Sequence, residues 1–276
     1  MESPYLQRRY LVSVESRRLP HIFTDVLVIG AGAAGLCAGI EAAQAGRVIV
    51  VTKGQTFDSN TYHAQGGMAA VMDPNDSLGS HIADTVSAGC GLGDEAVIRH
   101  VIEAAPQQVL QLQQWGVPFD TTADGELSLG REGGHSANRV VHAHGDAIGQ
   151  AIITVFLERA KNTENLKIFE QCFTIDLLTD PPAGGQEAVC IGAMTYHRRY
   201  GLQIILARQT ILAGGGAGML WRETSNPPCA TADALAIAFR AGATITDPEM
   251  VQFHPTTLYV AGATRSLISE AVRGEG

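Results

Sequence analysis

Gly30, Gly32 and Gly35 fill the spacing G-x-G-x-x-G, directly after the apolar run DVLVIG and at the start of a run of small residues. Each glycine has its own task where a strand turns into a helix against a dinucleotide. The first permits the tight turn, the second lets backbone approach a pyrophosphate, and the third lets helix and strand pack closely. The helix N-terminus then turns unpaired N–H groups and a partial positive charge toward the phosphates. The acid that ordinarily takes a ribose hydroxyl at the end of the second strand is missing. VVTKG puts Thr52 and Lys53 there, which counts against an ordinary NAD site. A second cluster, Gly214, Gly215 and Gly216, ends a later apolar strand, and two glycine-rich strand ends around one ligand are characteristic of large FAD-binding folds.

Other residues with chemical potential lie further along. Glu132, in REGGHS, is a carboxylate among glycines, either a solvated loop residue or an acid placed to meet a cation. His254, in QFHPTTLY, precedes a proline and has Thr256 and Thr257 beside it as hydroxyl donors; a lone histidine of this kind commonly serves as an internal hydrogen-bonder. Glu270 and Arg273 are three apart, so on a helix they share a face and either exchange protons or form a surface pair. His142 and His144, close to His135, would share one side of a strand. No carboxylate or thiolate spacing supports them as ligands, so no metal is expected.

The elements that must hold these groups alternate in type. DVLVIG reads as a buried parallel strand, 31–46 as a helix of small residues ending near Gly46, and RVIVVTKG as the next strand, which makes a βαβ unit. Residues 55–80 read as loop. Residues 94–115 show helical periodicity through Val97, Val101, Val109 and Leu112, with Pro106 opening a second helix and Gly116 ending it. A helix is expected over 145–161, then three strands (FTIDLL, AVCIGAMTY and LQIILARQTILAGGG, the last two joined by RRYG), then a helix over 230–241. The expected fold class is α/β, FAD-binding and Rossmann-like, a parallel sheet with an inserted antiparallel β-meander and the start of a capping domain. The expected divisions are an N-terminal arm at 1–22, read as loose, an FAD-binding domain at 23–246, and a capping or substrate domain beginning at 247–276.

Composition narrows the classes further. The chain has 276 residues, 45% of them hydrophobic, enough for a large core, and 31 glycines. Its formal net charge of −9 argues against a nucleic-acid partner. Five scattered cysteines with no CxxC fit a reducing, cytoplasmic setting better than a disulfide framework. The apolar stretch 26–51 is broken by Glu41, Gln44 and Arg47, so it reads as strand–helix–strand and no membrane span is expected.

The motifs VIGAGAAGL, TYHAQGGMAAV, REGGHS, ILAGGGAGMLWRETSNP, EMVQFHPTTLY and SEAVRGEG occur in an order that resembles the L-aspartate oxidases, a branch of the succinate dehydrogenase/fumarate reductase flavoprotein family. The resemblance runs from about Asp25 to the last residue. It implies noncovalent FAD, with pyrophosphate contacts at Gly30, Ala31, Gly32, Ala33, Ala34 and Gly35, Lys53 near the adenosine ribose, and Asp233 at the flavin's polar tail. The loop Asn60, Thr61, Tyr62, His63, Ala64, Gln65, Gly66 and Gly67 would pass along the isoalloxazine. Family members with covalent FAD carry a histidine where this chain has Asn60. For the substrate, the resemblance implies Glu132 at the ammonium, and His254, Thr256 and Ser269 at the carboxylates. Glu270 and Arg273 would begin a proton relay.

The activity implied is oxidation of L-aspartate to iminoaspartate, the first step of NAD biosynthesis, with electrons passing to oxygen or fumarate and other C4 dicarboxylates as related ligands. Quinolinate synthase would take the product. The alternatives are a succinate dehydrogenase or fumarate reductase flavoprotein, or a non-catalytic flavin-binding fragment. Members of the family are about twice as long, so the main catalytic arginine is expected beyond Gly276, and turnover by this chain alone is expected to be weak or nil. The chain departs from the family pattern in five places: an extra residue in HAHGDAIG, Ile148 for threonine, Gly214 for threonine, TADA at 231–234 in place of a glycine-containing loop, and Ser269 for threonine, which keeps the hydroxyl.

Overall fold

The computed structural model describes residues 9–180, 188–254, 256–258 and 266–268. In chain order its elements are β1 (His21–Ile29), α1 (Ala33–Ala42), β2 (Val48–Val51), β3 (Met68–Ala69), α2 (Leu78–Ala88), α3 (Glu95–Trp115), β4 (Leu129–Gly130), β5 (Val140–Val141), α4 (Ile148–Lys161), β6 (Leu166–Phe169), β7 (Cys172–Asp180), β8 (Val189–His197), β9 (Gly201–Leu212), α5 (Asp233–Arg240), β10 (Thr257–Leu258) and β11 (Ser266–Leu267). They fall into two compact units. One takes the described residues of Met1–Asn60 and Phe156–Phe253, the other those of Thr61–Val155 and His254–Gly276.

The first unit is built on a six-stranded sheet in the order β6-β2-β1-β9-β8-β7. β1 runs parallel to both β2 and β9, and β2 parallel to β6, whereas β7, β8 and β9 are joined antiparallel. This is the expected parallel sheet with an antiparallel meander. β9 belongs to both halves. Alternate residues of a strand point to opposite faces, and both faces are covered along Val26–Ile29 of β1 and along β2, so these stretches are apolar throughout. Leu27, Ile29, Ile49, Val51, Leu177, Ile205 and Ile237 form one core cluster, to which α5 contributes Ile237. Val48 and Val50 are equally buried. A Cβ on Gly39 of α1 would come within 3.0 Å of Val50, which shows how closely that helix lies on the sheet. Burial of each such side chain contributes about 1.5–3 kcal/mol.

The second unit packs α2 and α3 with a three-stranded sheet in the order β3-β5-β4, and a two-stranded ribbon pairs β10 with β11. Its core holds Ala70, Val109, Val117, Phe119, Val141, Ala143, Ile148 and Ala151.

Several expectations need correction. Pro106 does not open a new helix: α3 runs unbroken through it from Glu95 to Trp115. Proline removes one i→i−4 bond, but Ile102 and Val109 bury on either side of it and hold both halves on one axis. The inward stripe of α3 also differs from the one expected. Val97 and Val101 are exposed, while Ile102, Ala105, Val109 and Leu112 face the core. Gly116 does end the helix, with φ +101° and its N–H on the Leu112 and Gln113 carbonyls. β3, α2 and β6 occupy segments not read as regular structure; β3 and β6 are too short to show a period, and α2 begins inside the region read as loop. The arm read as loose is tied down at its described end. Arg9 donates to the Leu177 carbonyl at 2.8 Å, and the Leu11 N–H donates to the fully buried Asp176 at 2.7 Å. Arg240 completes that site with a 2.7 Å bond to the same carboxylate.

Candidate functional site

In the first unit three strand ends meet at the glycine motif. The Gly30 N–H donates to the Val51 carbonyl at 2.9 Å, and the Ala213 N–H to the Ile29 carbonyl at 2.8 Å. Gly30 has φ +114°, and a Cβ there would sit 2.1 Å from the Ala213 oxygen, so both conformation and space demand glycine. A Cβ on Gly35 would lie 1.9 Å from the Gly30 oxygen, so α1 starts directly on the strand end. Gly32 is the N-cap of α1 and supplies no side-chain cap. No capping side chain therefore stands at the N-terminal end of the helix, the end that favours a phosphate. Gly215 and Gly216 follow β9 with no atom within 4 Å of where their Cβ atoms would stand.

Lys53, just past β2, forms an ion pair with Asp233 in the first turn of α5 and donates to Thr231 at 2.5 Å. The Thr231 hydroxyl also donates to Asp233, at 2.7 Å. The two residues expected at opposite parts of one dinucleotide thus hold each other here. The N-cap of α5, Ala232, has φ +62°. A Cβ on Gly214 would meet that of Ala234 at 2.3 Å, so the side chain missing at 214 is what admits the methyl at 234. Asn60 donates its amide to the Asn226 side chain at 3.1 Å.

In the second unit Glu132 lies in the loop between β4 and β5. Its Oε1 is 3.2 Å from His142 Nε2, and both side chains are largely buried. A Cβ on Gly66 would stand 3.4 Å from the same oxygen, which brings the expected flavin loop and the Glu132 carboxylate into contact. The far end of the Glu132 loop is anchored by Arg139, whose side chain is wholly buried. Arg139 donates to both Asp76 oxygens at 2.8 Å, to Asp84 at 2.5 Å and to Ser80 at 3.1 Å. Asp84 also accepts the backbone N–H and the hydroxyl of Ser136, each at 2.8 Å. Those Ser136 bonds, with help from Arg139, hold the Asp84 carboxyl down at about 2. The N–H···O bonds from Arg139 likewise lower Asp76. Beside them His81 is buried, and burial, reinforced by the charges of Arg139 and His135, lowers its pKa and keeps it neutral.

His135, His142 and His144 have separate surroundings. His135 lies against Arg139 and His81, and His142 pairs with Glu132. β5 ends at Val141, and His144 has φ +51° with its N–H donating to Asp120, so His142 and His144 do not share a strand. His254 Nδ1 receives the Thr256 N–H at 3.3 Å, which leaves the ring proton of a neutral imidazole on Nε2. Ser269, Glu270 and Arg273 lie outside the described residues.

The FAD binding domain family matches residues 25–276. The chain belongs to that family. FAD is accordingly its cofactor, and the glycine-lined strand ends beside the N-terminus of α1 fit it. Among curated relatives, the chain is 43% identical to the L-aspartate oxidase of Vibrio cholerae over 258 residues, 91% of this chain and 48% of that protein. It is 42% identical to the chloroplastic L-aspartate oxidase of Arabidopsis thaliana over 264 residues, 92% of this chain and 40% of that protein. The chain therefore spans about half the length, or less, of the curated relatives it matches. Among solved structures it is similar to Mycobacterium smegmatis Sdh1 in complex with UQ1, with a TM-score of 0.82 and 31% identity over 93% of this chain and 44% of that one. It is also similar to the open conformation of a flavocytochrome c3 fumarate reductase, with a TM-score of 0.80 and 30% identity over 93% and 46%.

Within this FAD binding domain, the expected residues around Gly30–Gly35 come together in one unit, and so do Gly66 and Glu132 in the other. Sequence reasoning missed the roles of His142, Arg139, Asp76 and Asp84. Their partners are distant in sequence, and no spacing rule joins Arg139 to a carboxylate 63 residues earlier. No helix among the described residues is long and apolar enough to cross a membrane.

Proposed function

We propose that this chain carries the FAD-holding and ammonium-recognising part of an L-aspartate oxidase, which converts L-aspartate to iminoaspartate with oxygen or fumarate as final electron acceptor. The observation that carries this reading is Glu132, a mostly buried carboxylate beside Gly66 of the flavin loop. A substrate with two carboxylates would be repelled there unless it also bore a cation, and an α-ammonium group provides one. The names of the curated relatives support the same choice.

FAD, when bound, supplies the acceptor for the two electrons that leave the substrate. The chain's own residues bind and orient. Glu132 takes the ammonium group. His254, with its proton on Nε2, donates to a substrate carboxylate, and the Thr256 and Ser269 hydroxyls add to that clamp. Glu270 and Arg273 begin the proton relay. Lys53 serves the ribose of the cofactor; Asp233, expected at its polar tail, is paired with Lys53 here and would have to leave that pair to reach it. The product, a reactive imine, suits direct use by quinolinate synthase.

A succinate-oxidising or fumarate-reducing flavoprotein is the second reading, supported by the likeness to Sdh1 and to flavocytochrome c3 fumarate reductase. Asn60 counts against those members of the second group that hold FAD covalently. Its amide is hydrogen-bonded to Asn226, and an amide offers no nucleophile for covalent attachment of a flavin. Acid precipitation of the FAD-loaded chain tests this: yellow colour is expected in the supernatant, and colour fixed in the pellet would overturn the noncovalent assignment. Calorimetric titration with L-aspartate and succinate tests the substrate: preference for aspartate is expected, and preference for succinate would favour the second reading.

A further inference from the structure

The geometry points to His142 as the positioning residue that holds the Glu132 carboxylate ready for an ammonium ion without cancelling its charge. This rests on the reading of Glu132 given above. The pair is built into a slot that glycines leave open. A Cβ on Gly130 would stand 2.7 Å from His142 Cε1, and one on Gly67 would stand 3.0 Å from His142 Cδ2. The ring therefore lies between two residues with no side chain. On its far edge Nε2 is 3.2 Å from Glu132 Oε1, and the carboxylate itself is against Gly66. Side-chain exposures of 19% for His142 and 16% for Glu132 leave little water to solvate the acid, so the acid needs a protein donor.

The kind of donor matters. Lysine or arginine at this position would neutralise the carboxylate and remove the attraction for a cationic ligand. An imidazole can donate from Nε2 while uncharged, which fixes the carboxylate's direction and leaves its negative charge for the ligand. The two residues are ten apart in sequence and reach each other because β4 and β5 pair antiparallel, with Leu129 opposite Val141 and Gly130 opposite Val140. The pair thus sets specificity: it distinguishes an aminodicarboxylate from the same carbon skeleton without nitrogen.

The test measures dissociation constants of L-aspartate and succinate for the FAD-loaded chain by calorimetry, with His142→Phe, His142→Gln and Glu132→Gln compared. Phenylalanine keeps a flat ring in the slot and removes the donor; aspartate binding is expected to weaken about tenfold and succinate by less than about twofold. Glutamine keeps an uncharged donor and is expected to restore aspartate binding to within about threefold of the parent. Equal weakening of both ligands by His142→Phe, or no change in their ratio, overturns the proposal. Glu132→Gln separates this from the underlying reading. If it alters the ratio while His142→Phe does not, only the role of His142 fails. If it leaves the ratio unchanged, or if the parent binds neither ligand, the assignment of Glu132 fails and the proposal with it. Should His142→Phe not fold, imidazole 15N shifts decide: Glu132→Gln is expected to change the His142 Nε2 resonance, and an unchanged resonance overturns the contact.

Discussion

At Gly30, Gly35 and Gly214 the first unit puts bare backbone where any side chain would collide with a neighbour. At Arg139 the second unit fills its interior with a guanidinium, two carboxylates and two serine hydroxyls. Both regions hold a polar segment still, by opposite means. The glycine region depends on shape, so at Gly30, Gly35 and Gly214 it tolerates nothing added. The arginine region depends on charge balance, so it tolerates nothing removed. Sensitivity to substitution should follow from this: additions damage the first, deletions the second, and the second responds to acid.

The largest effect is expected at Gly35. Gly35→Ala places a methyl 1.9 Å from the Gly30 carbonyl oxygen, and α1 must move off the strand. Loss of FAD binding by at least about a hundredfold is expected from fluorescence titration, since a displaced helix N-terminus no longer aims its N–H groups. Binding within threefold of the parent would show that shape is not what the motif supplies. Next is Arg139→Met, which leaves Asp76 and Asp84 buried without their cation; about 3–5 kcal/mol of stability is expected to be lost in denaturant unfolding. Conversely, a neutral outcome would mean that the cluster relaxes to admit water.

Acid sharpens the contrast. The unfolded chain protonates its histidines as pH falls through about 6.5, whereas burial keeps His81 neutral, so stability declines from that point downward. Asp84, held at about 2 when folded, adds stability that is present above its ordinary carboxylate range and is lost as pH falls toward about 2. In His81→Leu the upper part of the decline is expected to vanish from the melting curve. The smallest effect is at Ala232, where φ is +62°. Relief of the left-handed strain is worth about 1–2 kcal/mol, and glycine's greater freedom in the unfolded chain takes back about 0.4–1 kcal/mol. Ala232→Gly should therefore stabilise by about 0–1.6 kcal/mol, and a lower melting temperature would show that the strain is absent.

The same contrast explains what the sequence revealed. Strand–glycine–helix chemistry is local: DVLVIG, the three spaced glycines and the missing acid at Lys53 stand within about thirty residues, so spacing alone announces the βαβ unit. The meander was legible for a similar reason, since β7, β8 and β9 are long enough to show their runs. The register of α3 was misread because Val97 and Val101 imitate a buried stripe, whereas burial falls one residue later, on Ile102. Asp84, Ser136 and Arg139 meet only because a tertiary fold brings α2 to the Glu132 loop, and nothing in their spacing announces it. His142 and His144 read as a pair on one strand, but β5 ends at Val141 and His144 and Gly145 turn the chain, so no strand joins them.

The double membership of β9 sets the order of assembly on the ribosome. Residue 21 of β1 pairs with residue 204, and residue 29 with residue 212. β1 therefore waits while 183 further residues are made, from 21 to 204, before its central neighbour arrives. Synthesis proceeds at about 5–20 residues per second, so one edge of an apolar strand stays unpaired for roughly ten seconds or more. During that interval β1 has β2 alone to cover it in the sheet, and the nascent chain is the form of this protein most exposed to strand-seeking chaperones and to self-association.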